Sequence, residues 1–160
     1  EPVRLDDDLL VIPTPGHTSG QVAFYIPDAQ ALFAADALFS LGCGRVFEGT
    51  MEEMWQSLDR LRHLPGDTAL YCGHEYTAAN ARFALSVEPG NVALQRRAAE
   101  VTALRAQGKP TLPSTLAAET AANPFLRPES AEIRAHFGLD AAASNVAVFT
   151  RLRQAKDSFR

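Results

Sequence analysis

Three side chains that can bind a metal ion each follow a short apolar run: His17, Asp36 and His74. The runs that precede them cover residues 9–12, 31–35 and 69–71. Runs of this length are typical of buried strands, and in α/β folds polar residues at strand ends gather at one edge of a sheet. Two imidazoles and a carboxylate are ligands that divalent transition metals accept. The sequence therefore suggests a metal site at a sheet edge.

Each of these residues also has an ordinary structural interpretation. A single histidine in a glycine-containing loop is usually a turn or surface residue, and aspartate is common where a strand gives way to a loop. The metal hypothesis depends on the three occupying equivalent positions beside small residues. His63 and His136 are assigned to structure, because each falls near the end of a helix, where a cation complements the helix dipole.

The composition narrows the possible classes of protein. The chain has 160 residues, 46% of them hydrophobic, and a formal charge of −4. No run of Lys and Arg offers a footprint for nucleic acid or an anionic membrane surface. No apolar stretch approaches the ~20 residues that span a bilayer. The two cysteines lack CxxC spacing, which favours a reduced, cytoplasmic protein.

The first half of the chain has the pattern of a sheet. Short strands are predicted at 9–12, 21–26, 31–35 and 69–71, and the first three are expected to be antiparallel neighbours. The glycine-rich segment 42–49 is predicted to be an irregular loop. Thr50 and Glu53 form a capping-box pattern that opens a helix ending near Pro65.

The second half has the pattern of helices. Thr77 and Asn91 are predicted caps, and further helices are expected at 115–121, 130–137 and 144–159, with no strand among them. The fold class is therefore α+β, with the change from sheet to helices near residues 80–90.

Several segments match one known family in type and order. They are Pro15-Gly16-His17-Thr18, the Asp36 segment, Gly42-Cys43-Gly44-Arg45-Val46-Phe47-Glu48-Gly49-Thr50, Cys72-Gly73-His74-Glu75-Tyr76-Thr77, Glu88-Pro89-Gly90-Asn91, Pro113-Ser114-Thr115, Asn123-Pro124-Phe125 and Arg153-Gln154-Ala155-Lys156-Asp157-Ser158-Phe159. On these residues the chain resembles the glyoxalase II family, the hydroxyacylglutathione hydrolase branch of the metallo-β-lactamase superfamily.

The resemblance implies a two-part fold. Residues 1–85 would form the C-terminal part of a metallo-β-lactamase αββα sandwich, and residues 86–160 a helical substrate-binding domain. The family's upstream His-x-His-x-Asp-His motif does not occur in the sequence. We therefore expect the chain to be the downstream part of a longer enzyme.

The resemblance also implies a reaction. The family hydrolyses S-(2-hydroxyacyl)glutathione, typically the D-lactoyl compound, to glutathione and D-lactate, the second step of the glyoxalase pathway that detoxifies methylglyoxal. His17 would bind one metal, His74 a second, and Asp36 would bridge them. The cofactors would be two divalent ions, zinc first, with iron or manganese as alternatives. A hydroxide formed on the pair would attack the thioester carbonyl.

The expected partner is a small-molecule glutathione thioester, and the intact enzyme is expected to be a monomer that binds neither nucleic acid nor membrane. By resemblance the substrate-binding residues are Arg45, Phe47, Tyr76, Arg153 and Lys156. Phe47 stands where some relatives carry tyrosine, so one hydroxyl contact is missing.

Two alternatives stay open. One is another metallo-β-lactamase-fold enzyme, such as a persulfide dioxygenase that uses one iron, although the helical second half argues against that branch. The other is an inactive fragment or binding module. Each metal position would have only two protein ligands in this chain, which predicts weak metal binding by the isolated chain.

Overall fold

The computed structural model describes residues 2–6 and 8–160. The strands are β1 (Val3–Asp6), β2 (Leu9–Pro13), β3 (Val22–Ile26), β4 (Ala31–Ala35), β5 (Leu38–Phe39), β6 (Gly42–Cys43), β7 (Ala69–Cys72) and β8 (Ser114–Thr115). Six of them form one sheet in the order β1-β2-β3-β4-β7-β8, and β5 pairs with β6 in a separate hairpin.

The pairing follows from the lengths of the connections. Strands β2 and β3 are joined by the loop 14–21, and β3 and β4 by the turn 27–30; neither connection contains a helix, and both pairs are antiparallel, as predicted. Strand β7 pairs parallel with β4, because the connection between them contains a helix that returns the chain to the same end of the sheet. Asp36 and His74, which follow these two parallel strands, therefore emerge at the same edge.

The two faces of the sheet differ in exposure. Residues such as Ala23, Leu32 and Leu70 are fully buried against the helices. On the opposite face, the register aligns Phe24 with Phe33 and Phe33 with Tyr71. The rings of Phe33 and Tyr71 stack at 4.9 Å, and about 40% of Phe24 and of Phe33 remains exposed (40% and 42%). The helices thus cover one face of the sheet.

The helices are α1 (Met51–Arg62), α2 (Thr77–Val87), α3 (Val92–Ala106), α4 (Leu116–Ala122), α5 (Ala131–His136) and α6 (Asn145–Ser158), with a 3₁₀ turn at Pro124–Leu126. The predicted capping box at the start of α1 is confirmed, since Thr50 and Glu53 exchange side-chain to backbone hydrogen bonds. Asn91 caps α3 as predicted. The local sequence therefore fixes most helix starts.

Three local predictions were wrong. Gly42–Cys43, at the start of the segment predicted to be irregular, forms strand β6. Thr77 does not cap α2, because it is the first helical residue and its buried hydroxyl bonds the hydroxyl of Thr111 at 2.6 Å. The helical half also contributes a strand, β8, which pairs antiparallel with β7. Two residues are too few to produce a sequence pattern, and β8 exists because its partner offers a free edge.

An ion pair between the buried Glu88 and the half-buried Arg127 joins two helical segments of the second half. Glu88, at the end of α2, receives two hydrogen bonds from Arg127, at 3.0 and 2.8 Å, and others from Asn91 and Ser130. Burial alone would raise the pKa of the Glu88 carboxyl, but these donors outweigh it and hold the pKa below its usual value.

In the part of the chain that the structure describes, none of the helices has both the length and the apolar character needed to cross a membrane.

Candidate metal centre

The three predicted metal ligands converge on a single oxygen atom. Nε2 of His17 lies 3.7 Å from Oδ2 of Asp36, and Nε2 of His74 lies 3.3 Å from the same oxygen. Two atoms bound to one tetrahedral ion at about 2.0–2.1 Å stand about 3.4 Å apart. The two spacings therefore suit one ion between Asp36 and each histidine.

The three potential metal ligands form two pairs, His17 with Asp36 and His74 with Asp36. Among the described residues, no group of three His, Cys, Asp or Glu side chains surrounds a single metal position. Asp36 is common to both pairs, which is the arrangement expected of a carboxylate shared by two ions. The residues present thus fit a metal pair, with two protein ligands at each position.

His17 is held with its Nε2 directed at Asp36. Its Nδ1 donates a hydrogen bond to the backbone oxygen of Arg45 at 2.8 Å, which leaves the Nε2 lone pair free for a metal. The loop that carries His17 is fastened nearby, because Glu48 accepts hydrogen bonds from the Ser19 amide and hydroxyl at 2.7 and 3.0 Å. The Ser19 amide is the main cause of the lowered pKa of Glu48.

His74 is positioned by aromatic rings and by the residue that follows it. Its imidazole stacks on Tyr76 at 4.8 Å and lies 6.1 Å from the ring of Phe39. Glu75 accepts hydrogen bonds from the amide and the hydroxyl of Thr111 at 2.6 and 2.7 Å. The His74 turn is therefore tied to a segment of the helical half.

Asp36 occupies a space that only glycine neighbours leave open. A Cβ on Gly73 would lie 2.2 Å from Oδ1 of Asp36, and a Cβ on Gly44 would lie 2.0 Å from the backbone oxygen of Asp36. With its amide oxygen turned toward the loop, Gln21 accepts hydrogen bonds from the backbone N–H groups of Asp36 and Ala37. These three supports were not predicted, because each acts across the fold.

Replacing Gly73 with alanine is expected to lower metal affinity by roughly ten- to hundredfold, as is typical for loss of an outer support of a ligand. Gly73 does not have a positive φ, so the effect arises from the collision with Asp36 and not from backbone strain. Gly20→Ala is the matched control, since a Cβ there meets nothing within 4 Å. Chelator competition with Co²⁺ measures the difference, and equal affinities in the two variants would refute the collision.

A cleft of about 450 Å³ adjoins the metal residues. Its walls contain all five predicted substrate-binding residues, Arg45, Phe47, Tyr76, Arg153 and Lys156, together with Phe39, Cys43, Ala79 and Asn80. Phe47 contacts the ring of His17 at 5.2 Å, and Tyr76 stacks on His74. The cleft and the metal residues are therefore parts of one site.

The two predicted cations on α6 differ in what they offer a ligand. Arg153 is only 4% exposed, and its guanidinium donates to the backbone oxygen of Cys43 at 2.7 Å and to Asp157 at 3.1 Å. Lys156 is half-buried, and burial followed by repulsion from Arg153, Arg45 and Arg82 lowers its pKa. The N–H groups of Arg153 thus bind other parts of the protein, whereas Lys156 adds positive charge to the cleft.

Known protein families match both halves of the chain. The model described as hydroxyacylglutathione hydrolase C-terminus matches residues 75–159, and the model of the metallo-beta-lactamase superfamily matches residues 3–74. Membership of this superfamily implies divalent metal ions as cofactors.

Curated relatives agree with these models. The hydroxyacylglutathione hydrolase of Methylococcus capsulatus is 57% identical over 94% of this chain, and that of Brucella anthropi is 58% identical over 93%. The chain spans 58% and 57% of their respective lengths.

Solved structures support the fold. ETHE1 from Myxococcus xanthus matches 97% of this chain and 56% of its own, with a TM-score of 0.51 and 24% identity. A metallo-beta-lactamase from Staphylococcus aureus matches 98% of this chain and 41% of its own, with a TM-score of 0.51 and 19% identity. The α+β class and the metallo-β-lactamase-type fold predicted from the sequence are thereby confirmed, and the chain belongs to the hydroxyacylglutathione hydrolase family of the metallo-β-lactamase superfamily.

Proposed function

We propose that the protein hydrolyses S-(2-hydroxyacyl)glutathione, with the D-lactoyl thioester as the typical substrate, to glutathione and the 2-hydroxy acid. The observation that carries the proposal is the sharing of Asp36 Oδ2 by His17 and His74 beside a cationic, aromatic cleft. Because the chain spans little more than half of its relatives, the activity of the whole protein is part of this proposal.

The proposed cofactors are two divalent ions, zinc first, with iron or manganese as alternatives. When bound, such ions acidify a water molecule and polarise the thioester carbonyl. His17 and His74 would each contribute a neutral nitrogen, and Asp36 would supply the negative charge between them. The Arg45 carbonyl keeps the proton of His17 on Nδ1, so that Nε2 stays available as a ligand.

The remaining residues would bind and orient the substrate. Lys156 and Arg45 present positive charge to the carboxylates of glutathione, and Arg45 is 60% exposed at its side chain. The rings of Phe47 and Tyr76 would flank the acyl and thiol portions next to the two histidines. In the overall reaction the C–S bond breaks, the hydroxyl of water joins the carbonyl carbon, and its proton ends on the thiol sulfur.

The proposal also covers the setting of the reaction. We infer a cytoplasmic protein, because Cys43 and Cys72 are both free thiols, as a reducing compartment permits. A monomeric state is part of the proposal through the family resemblance alone. The division into a metallo-β-lactamase-like part, residues 1–85, and a helical part, residues 86–160, belongs to the same proposal. Arg153 is included as a residue that shapes the cleft from within.

Hydrolysis of S-lactoylglutathione can be compared with hydrolysis of S-lactoyl-N-acetylcysteamine, which has the same acyl group but no carboxylates. The glutathione thioester is expected to have the lower KM of the two, because the N-acetylcysteamine thioester has no carboxylate that could pair with Lys156 and Arg45. Metal content is measured on the same sample. A metal-loaded protein that cleaves neither compound, or both with equal kcat/KM, would contradict the proposal.

A further inference from the structure

The hairpin formed by β5 and β6, residues Leu38–Cys43, is inserted into the helical half of the fold. Its tip residue Leu41 is fully buried among α2, α3 and α4, in a cluster with Ala84, Leu94 and Ala122. Leu41 has a positive φ of 58°, which a leucine keeps only where its surroundings hold it. The helices therefore determine the position of this hairpin.

A buried carboxylate holds the tip of the hairpin. Glu119 on α4 is fully buried and accepts hydrogen bonds from the Ser40 hydroxyl at 2.7 Å and the Leu41 amide at 2.8 Å. It also accepts hydrogen bonds from the Ser114 hydroxyl at 2.7 Å and from the side-chain amide of Asn123 at 3.1 Å. Four donors thus surround one side chain, and two of them belong to the hairpin.

Two asparagines complete the grip on the hairpin backbone. Asn123 donates to the backbone oxygens of Phe39 and Gly42, at 3.1 and 3.0 Å. Asn80 on α2 donates to the backbone oxygen of Ser40 at 3.1 Å and packs so closely that a Cβ on Gly42 would lie 2.4 Å from its nitrogen. We call Asn80, Glu119 and Asn123 the hairpin clamp.

The hairpin is linked to all three metal residues. Asp36 lies two residues before it, and the Gly44 amide that follows it donates a hydrogen bond to the Ala37 oxygen at 3.3 Å. The next residue, Arg45, supplies the oxygen that orients His17. Phe39 in β5 contacts the ring of His74. A displacement of the hairpin therefore reaches each of the three side chains.

We propose that Glu119 is a positioning residue of the reaction, which acts through the β5–β6 hairpin to hold the metal residues in place. The helical half would then serve the metal centre as well as the substrate cleft. This inference rests on the proposed function for its kinetic consequences, whereas its consequences for metal binding stand independently.

The fold provides a matched pair of substitutions. Ser40 and Ser114 each donate one 2.7 Å hydrogen bond to the same oxygen, Oε1 of Glu119, and both are buried. Ser40 belongs to the hairpin, whereas Ser114 belongs to β8. Ser40→Ala and Ser114→Ala should therefore lower Tm by similar amounts. A purely structural role of Glu119 predicts that all other properties change equally in the two variants.

The positioning role predicts a difference between the pair. Ser40→Ala is expected to weaken Co²⁺ binding and to reduce kcat, each by roughly threefold to tenfold, which is modest for an outer support of a metal site. KM should change less than kcat, although Phe39 and Cys43 of the hairpin line the cleft. Amide hydrogen exchange at residues 42–44 in the metal-free protein should also quicken. Ser114→Ala should leave these three properties at the parent values. Equal effects in both variants would overturn the proposal.

Glu119→Gln is the conservative variant. The Ser40 and Ser114 hydroxyls can rotate to accept from its amide group, while its oxygen still accepts from the Leu41 and Asn123 N–H groups. Co²⁺ affinity in Glu119→Gln should thus stay within about twofold of the parent, and a tenfold loss would also contradict the proposal. If the parent cleaves no thioester, the proposed function fails, and Co²⁺ affinity and hydrogen exchange still decide the role of Glu119.

Discussion

Replacing Asp36 with alanine is expected to reduce thioester hydrolysis by at least about a thousandfold, because one carboxylate serves both metal positions. Oδ2 of Asp36 is approached by both His17 and His74, at 3.7 and 3.3 Å. Its removal leaves each histidine as an isolated ligand. Metal content by mass spectrometry should fall together with turnover.

Two further variants sharpen this test. Asp36→Asn keeps the shape of the side chain but removes its charge, so metal content should fall less than in the alanine variant. Asp28→Ala is the control, because Asp28 is exposed in the turn between β3 and β4. Normal metal content and turnover in Asp36→Ala would remove Asp36 from the site, and an equal loss in Asp28→Ala would indicate a nonspecific effect.

The elements that the sequence predicted well are those set by local chemistry. The run 31–35 became β4 with the expected bounds, and the Thr50–Glu53 capping box formed, because its two partners are three residues apart. The convergence of His17, Asp36 and His74 was also predictable. It follows from apolar strands that end at one edge, which is a rule of sheet topology and needs no side-chain detail.

The supports of the site could not be predicted, because they act over long separations. Glu119 and Asn123 are four residues apart and would be read as a polar face of a short helix. Instead they bind a hairpin about 80 residues earlier in the chain. The glycine-rich segment 42–49 predicts an irregular loop, but its first two residues form strand β6 of the hairpin. A strand of two residues is too short to produce a recognisable pattern in the sequence. Burial of these polar groups becomes visible only in the folded molecule.

Arg153 and Lys156 show the same limit within a single helix. Their spacing of three residues predicts that they project to one side, and both do line the cleft. Their burial differs because the oxygen of Cys43, 110 residues earlier, accepts from Arg153. The shared spacing thus conceals two different roles, which can be separated by substitution.

Arg153→Met is expected to lower the free energy of unfolding by on the order of 3 kcal/mol, because Cys43 and Asp157 lose a buried, charged donor. It should also reduce kcat, since the end of the hairpin at Cys43 loses its contact with α6. Thermal unfolding and steady-state kinetics measure the two effects. If stability is unchanged while KM rises, Arg153 binds the substrate directly.

Lys156→Met is expected to have the opposite effect on stability. Burial and the neighbouring Arg153, Arg45 and Arg82 lower the pKa of Lys156, so its charged form is less favourable in the folded protein than in the unfolded chain. Removing the charge should therefore raise Tm at neutral pH. This gain should fade as pH rises through the lowered pKa and vanish above the unfolded value of about 10.4.

The same substitution should weaken substrate binding, because Lys156 loses a charge-assisted contact with a carboxylate of glutathione. KM for the glutathione thioester should rise roughly tenfold, with kcat and Co²⁺ affinity unchanged. Arg151→Met is the control on the same helix, since Arg151 lies over the ring of Phe137 and does not line the cleft. An unchanged KM together with a lower Tm in Lys156→Met would show that this side chain stabilises the fold through its packing near Phe83 and does not bind the thioester.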